Sequence, residues 1–141
     1  MTSVGQILAR KPEVFAMAPE ASVLEALNVM AERNIGAVLV MSNEKLAGIF
    51  SERDYARQVV LLGKSSKETH VREIMTHKVL CVRPDQTIDE CMGLMTGKRV
   101  RHLPVLDHKK VVGVISIGDV VKEVISEQQA MIEQLEHYIH S

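Results

Sequence analysis

The sequence predicts an α/β (α+β) fold made of two copies of one strand-helix-strand-strand-helix unit, and three observations carry the prediction. The stretch Gly48-Ile49-Phe50-Ser51-Glu52-Arg53-Asp54 returns as Gly113-Val114-Ile115-Ser116-Ile117-Gly118-Asp119, an offset of 65 residues (113 − 48). Extended backwards without a gap, the same offset pairs Val14 with Val79, Pro19 with Pro84, Glu25 with Glu90, Met30 with Met95, Val40 with Val105 and Lys45 with Lys110, nine identities over the 46 positions from Lys11 to Ala56. In both copies, helical spacing of apolar residues gives way to two short apolar runs in the same order. This is a tandem duplication, and a single copy would bury too little surface to be comfortable alone.

The elements follow in order. Val4–Leu8 matches Val71–Met75 at an offset of 67, so the first copy carries two extra residues around Arg10 to Pro12. Each segment reads as a helical turn leading into a strand, Val14 to Met17 or Val79 to Val82, which Pro19 or Pro84 stops. Ser22-Val23-Leu24-Glu25 and Thr87-Ile88-Asp89-Glu90 have the S/T-x-x-E form of a capping box, in which hydroxyl and carboxylate reciprocally satisfy free amides at a helix start. The helices that follow put Val23, Ala26, Leu27 and Met30, or Ile88, Cys91, Met92 and Met95, on one core-facing side. Next come Ala37–Met41 and Leu46–Phe50, joined at Ser42-Asn43-Glu44, and their counterparts Leu103–Leu106 and Val111–Ile115, joined at Asp107-His108-Lys109. Each pair reads as a hairpin. A second helix is expected to begin near Asp54 and near Asp119, and Leu62 to His70, rich in Gly, Ser, Lys and Thr, reads as a linker.

These readings divide the chain into a first repeat at 4–62, a linker at 63–70, a second repeat at 71–125 and a helical extension at 126–141. In the extension Val121, Val124, Gln128, Met131, Leu135 and Tyr138 recur at three- and four-residue steps, with Ile125, Ile132 and Ile139 beside them. The duplication prescribes no intramolecular partner for that stripe, so it predicts a homodimer.

Composition narrows the function classes. The 141 residues carry a net charge of −1 with 25% charged residues of both signs, no signature of nucleic-acid or membrane binding. Phe15, Phe50, Tyr55 and Tyr138 are the only aromatics, too few for a base-stacking platform over Lys98–His102. No apolar run approaches a membrane span and no signal peptide is evident. With only Cys81 and Cys91, this leads us to expect a cytoplasmic protein in a reducing compartment. No nucleophile with a base, paired acid and base, or metal-ligand set stands out, so no catalysis and no metal are expected; His137 and His140 alone do not make a metal site.

The recurring aspartates suggest a different chemistry. A carboxylate can accept one hydrogen bond from each of the two adjacent hydroxyls of a ribose, and Asp54 and Asp119 stand where a helix begins, behind Ser51 and Ser116. S-x-x-D before a helix is also an ordinary cap. Its recurrence after an apolar hairpin in both copies favours ligand binding. Cations for a phosphate are Arg53, Lys78, Lys98, Arg99, Arg101 and His102, of which Lys98 and Arg99 read better as solvated residues at a helix C-terminus.

The order of elements, the 65-residue repeat, the doubled G-h-h-S-x-x-D and the run Arg101-His102-Leu103-Pro104-Val105 together resemble a pair of cystathionine β-synthase (CBS) domains, the Bateman module, from about Val4 to Ile125. Stand-alone bacterial members with a Ser-Glu-Arg-Asp-Tyr run look similar. The resemblance implies two repeats packed with pseudo-two-fold symmetry around two clefts for adenosine ligands: AMP first, with ADP, ATP, NAD or S-adenosylmethionine as alternatives. It implies that Arg101 and His102 serve the cleft of Asp54, with Arg53 and Lys78, while the Asp119 cleft gathers little beyond helix amides, Lys11 being its candidate cation. Adenine would lie near Val14 and Val79. The expected function is a non-catalytic, nucleotide-sensing regulatory module that signals to an effector protein the sequence does not name. The alternative is a ligand-free interaction module.

Overall fold

The computed structural model describes residues 2–11 and 14–140, so Pro12, in the segment that lengthens the first copy, lies outside the described residues. The elements are α1 (Val4–Leu8), β1 (Ala16–Met17), α2 (Val23–Arg33), β2 (Ala37–Ser42), β3 (Lys45–Ser51), α3 (Glu52–Asp54, continued by a π-helical stretch Tyr55–Val60), α4 (Val71–Ile74), α5 (Ile88–Lys98), β4 (His102–Asp107), β5 (Lys110–Ser116) and α6 (Ile117–His140). They form two compact bodies that do not coincide with the repeats. One holds Glu13–Leu80 and His108–Val112; the other holds Met1–Pro12, Cys81–Asp107 and Gly113–Ser141.

In the first body the sheet runs β1-β2-β3, with β1 parallel and β3 antiparallel to β2. Alternation along the strands sends Val38, Val40 and Phe50 to one face. There they meet Val23, Ala26 and Met30 of α2, Val59 of the π-helical stretch, and Val71 and Ile74 of α4 in one buried cluster. β4 pairs with β5, of which Gly113–Ser116 lies in the second body, and there α5 packs against α6. Its buried residues include Val4, Ile7, Val82, Ile88, Cys91, Met95, Leu103, Val105, Ile115 and Val120; of the four residues that the helical spacing put on the core side of α5, Met92 is only partly buried.

The backbone repeats itself more closely than the side chains do. Among the described residues six non-glycine residues adopt positive φ, and they fall into three pairs at the 65-residue offset: Asn34 and Arg99 (53° and 55°), Asn43 and His108 (51° and 50°), Glu44 and Lys109 (65° and 68°). The first pair closes α2 and α5 in the left-handed conformation. The other two make hairpin turns with both central residues at positive φ, the geometry that matches strand twist.

Several expectations need correction. The first strand shrinks to Ala16–Met17, and Val79–Val82 forms no strand, only a parallel bridge from Val82 to Val105. The chain that leads from these segments into α2 and α5 is held by the opening turns. The amides of Val4 and Gly5 donate to the carbonyls of Gln86 and Pro84, at 2.8 and 2.9 Å, while that of Ile88 donates to Thr2 at 3.1 Å. Val71, Arg72 and Val23 repeat the pattern on Ala21, Pro19 and Thr69 at 2.8, 3.2 and 2.9 Å. The opening turn of each repeat therefore docks at the long-helix start of the other repeat, which is why the bodies cut across the repeats. Leu62–His70 is correspondingly more than a tether. Ser66 and Thr69 supply carbonyls to the first-turn amides of Leu24 and Val23, and Thr69 is buried. At Ser22 and Thr87 the hydroxyl half of the capping box forms, to Glu25 N at 3.1 Å and Glu90 N at 3.3 Å.

Candidate functional site

β3 and β5 each end on the serine that caps the next helix. The helices start at Glu52 and Ile117, two residues earlier than expected, so each aspartate is the third helical residue. Ser51 Oγ accepts from the Asp54 amide at 3.2 Å, and Asp54 Oδ2 accepts from the Ser51 amide at 2.9 Å and the Ser51 hydroxyl at 3.0 Å. The same reciprocal box holds Ser116 and Asp119, at 3.1 Å from the Asp119 amide to Ser116 Oγ and 2.8 Å from the Ser116 amide to Asp119 Oδ2. The first helix amide is taken up alike in both copies, Glu52 donating to Gly36 O at 3.1 Å and Ile117 to Arg101 O at 2.8 Å. Capping is thus a real structural role of both motifs.

What meets each carboxylate from outside its motif differs. On the Asp54 side the chain after α4 runs beside β3 and bridges Thr76 to Ile49, with Thr76 N to Ile49 O at 2.9 Å and Ile49 N to Thr76 O at 3.1 Å. The Thr76 hydroxyl then donates to Asp54 Oδ1 at 3.2 Å. Gly48 permits this approach: a Cβ there would lie 2.6 Å from Met75 Sδ and 2.7 Å from the Thr76 carbonyl. Gly113 does the same for Leu8, whose side chain would collide with any Cβ. On the Asp119 side Lys11 takes the place of Thr76. Its Nζ donates to Asp119 Oδ2 at 2.6 Å and to Val114 O at 2.7 Å. Burial by itself would push the Asp119 carboxyl up, but hydrogen bonds from Lys11 and Ser116 and the Lys11 charge outweigh it and hold Asp119 below its ordinary 3.8.

Lys78, Val79 and Val14 belong to the body of Asp54; Arg101 and His102 belong to that of Asp119. Lys78, Arg53 and Arg101 are exposed at the surface, while Val79 and His102 are half-buried. Val14 is 38% exposed, an apolar side chain left accessible on a short strand approach. A shallow hollow in the first body, lined by Leu27, Met30, Ala31, Asn34, Ile35, Gly36 and Glu52, lies at the start of α3 but does not include Asp54. Burial raises the thiols of Cys81 and Cys91, with Glu90 adding to the effect at Cys91, which makes both poor thiolates. Among the described residues no three His, Cys, Asp or Glu side chains gather as a metal site.

Sequence reading missed Thr76; it named Lys11 as a cation of the Asp119 cleft, and the structure pairs Lys11 with the Asp119 carboxylate itself. The signal was available. The two residues are equivalent at the 65-residue offset (76 − 11), three positions before Val14 and Val79.

The doubled box agrees with family comparison. The family model described as CBS domain matches residues 4–61 and again 71–126. The chain belongs to the CBS domain family. It is 53% identical to a signal-transduction protein with CBS domains from Burkholderia ambifaria, whose structure superposes with a TM-score of 0.86 over 90% of this chain and 96% of that one. The CBS domain pair of protein MJ0100, solved in complex with 5′-methylthioadenosine and S-adenosyl-L-methionine, is 26% identical, with a TM-score of 0.80 over 90% and 98% of the two chains. The mitochondrial CBS domain-containing protein CBSX3 of Arabidopsis thaliana is 41% identical over 123 residues, which are 84% of this chain and 60% of that protein's length.

Proposed function

We propose that this CBS pair is a non-catalytic regulatory module that binds adenine nucleotides, AMP first, and passes their level to a partner protein. The observation that carries the reading is the duplicated carboxylate. Asp54 and Asp119 are each oriented by a reciprocal bond to the preceding serine amide, at a helix start where a ribose diol finds two acceptor oxygens. A related CBS pair solved with two adenosine ligands supports the ligand class. In this reading Ser51 and Ser116 assist the ribose, and Val14 and Val79 flank adenine. Arg53, Lys78, Arg101 and His102 are the cations for phosphate, whereas Gly36 and Ala37 stand at the positions equivalent to Arg101 and His102 and supply no charge. The module acts as a homodimer through α6, where Val121, Ile125, Ile132, Leu135 and Ile139 are 49–73% exposed. Among the described residues no helix is long and apolar enough to cross a membrane. The module works in the cytoplasm.

The test is Arg101→Ala. Arginine to phosphate is charge-assisted, so AMP affinity should fall by about 1.5–3 kcal/mol, roughly ten- to a hundredfold, while adenosine is almost unaffected. Equal losses for both ligands would contradict the assignment of Arg101 to phosphate. Stripped protein that binds no adenine ligand would favour a module acting through its surfaces alone.

A further inference from the structure

Lys11 makes the two carboxylates chemically unequal. Its equivalent, Thr76, uses its backbone amide to satisfy Ile49 O and only its hydroxyl for Asp54. Ile49 corresponds to Val114, and there the Lys11 ammonium does both jobs at once, binding the Val114 carbonyl and Asp119 Oδ2 at 2.7 and 2.6 Å. The insertion in the first copy explains the change. Two extra residues between Leu8 and Lys11 alter how the chain approaches β5, and the long side chain spans to the carbonyl that a backbone amide reaches in the other copy.

Lys11 is also backed from behind. Asp119, Glu123 and Glu127 stand one turn apart on one side of α6, and all three hold the segment 2–11. Arg10 Nη2 meets Glu123 Oε2 at 3.0 Å, the Thr2 hydroxyl donates to Glu123 Oε1 at 2.9 Å and to Glu127 Oε1 at 2.8 Å, and the Thr2 amide donates to Glu127 Oε1 at 2.9 Å. Both partners of the Lys11–Asp119 pair are less than one-third exposed, at 29% and 23%.

We infer that Lys11 is a specificity-determining latch on the Asp119 site: a ribose diol engages both oxygens of this carboxylate only by displacing the ammonium bound to Oδ2. The inference rests on the nucleotide reading above. Asp119 Oδ2 already accepts from the Ser116 amide and from Lys11, which uses both of its lone pairs. Asp54 accepts three bonds, but two of its donors are neutral hydroxyls, Ser51 and Thr76, which rotate aside and can pair again with the incoming ribose. Lys11 cannot yield so cheaply. Moving it strips a partly buried charge of its partner and pulls on the segment tied along α6. The Asp119 site therefore takes adenosine ligands more weakly than the Asp54 site, and its occupancy is coupled to release of the segment 2–11.

The test exchanges the two residues. Calorimetry with adenosine and AMP is run with Asp54→Ala, which isolates the Asp119 site, and with Asp119→Ala, which isolates the Asp54 site. Adding Lys11→Thr to the first should tighten adenosine by about tenfold; adding Thr76→Lys to the second should weaken it by about tenfold. The second arm stands on its own if Lys11→Thr compromises folding, because Thr76 is exposed. Binding at both sites that neither exchange alters overturns the latch and leaves the nucleotide reading intact. So does an Asp119 site that stays silent after Lys11→Thr while the Asp54 site binds. If unmodified, ligand-stripped protein binds neither adenosine nor AMP, the nucleotide reading fails and the latch fails with it.

Discussion

Asp54→Ala separates the two roles that the S-x-x-D motif combines. The carboxylate accepts three hydrogen bonds, from the Ser51 amide, the Ser51 hydroxyl and the Thr76 hydroxyl, at 2.9, 3.0 and 3.2 Å. Alanine removes all three but spares the bond from its own amide to Ser51 Oγ, so half of the box survives. The Thr76 hydroxyl is exposed and regains water. The stability cost should therefore stay within the range of a lost cap, about 0.5–2 kcal/mol. The binding cost is separate. A ribose loses hydrogen bonds to a charged acceptor worth about 1.5–3 kcal/mol each, so AMP affinity at this site should fall at least tenfold. Urea denaturation measures the first quantity and calorimetry with AMP the second. A variant that loses the expected stability yet binds AMP as before would show that Asp54 is a cap and nothing more, and the ribose argument would be wrong. Asp119→Ala should cost more stability than Asp54→Ala, because it also removes the partner of a partly buried lysine.

Other predictions come from the packing and the charges. Gly48→Ala should destabilise by about 1–3 kcal/mol in urea denaturation, since the Thr76 carbonyl 2.7 Å from the new Cβ cannot retreat without breaking the bridge to Ile49; an unchanged midpoint would refute the close approach. The depressed Asp119 pKa contributes stability that is present in full above the ordinary 3.8 and is lost as pH falls through the lower folded value. Denaturation repeated between about pH 6 and about pH 3 should accordingly show a shallower acid loss in Asp119→Asn than in the unmodified protein, and identical slopes would contradict the Lys11 pair. Truncation after Glu127 keeps the residues that hold Thr2 and removes Met131, Ile132, Leu135, Tyr138 and Ile139, all more than half exposed. It should weaken self-association by light scattering; an equally stable dimer would exclude this part of α6 from the interface.

Much of the fold was legible in the residues because duplication doubles every signal. The hairpins, the caps at Ser22 and Thr87 and the core side of α5 followed from local pattern. What did not follow was non-local. No periodicity in Val79–Val82 shows that the chain before it pairs at Thr76 with Ile49 and the chain after it is held at Pro84 and Gln86 by the opening turn of the first repeat, so a β-rich run reads as a strand. At the candidate site the aspartates and serines were visible as a motif, whereas the Lys11–Asp119 pair joins residues 108 positions apart and depends on how a two-residue insertion redirects the chain. The alignment contained the clue, lysine against threonine, but its meaning required the geometry of Val114 and Asp119.

The central claim is that this CBS pair binds adenine nucleotides through its duplicated aspartates, and calorimetric titration of ligand-stripped protein with AMP tests it most directly. The account predicts saturable binding in the unmodified protein, a stronger site that Asp54→Ala removes, and no binding in the Asp54→Ala, Asp119→Ala double variant. Titrations of the unmodified protein with AMP, ADP, ATP, NAD and S-adenosylmethionine that all give no heat of binding and no thermal stabilisation would contradict it.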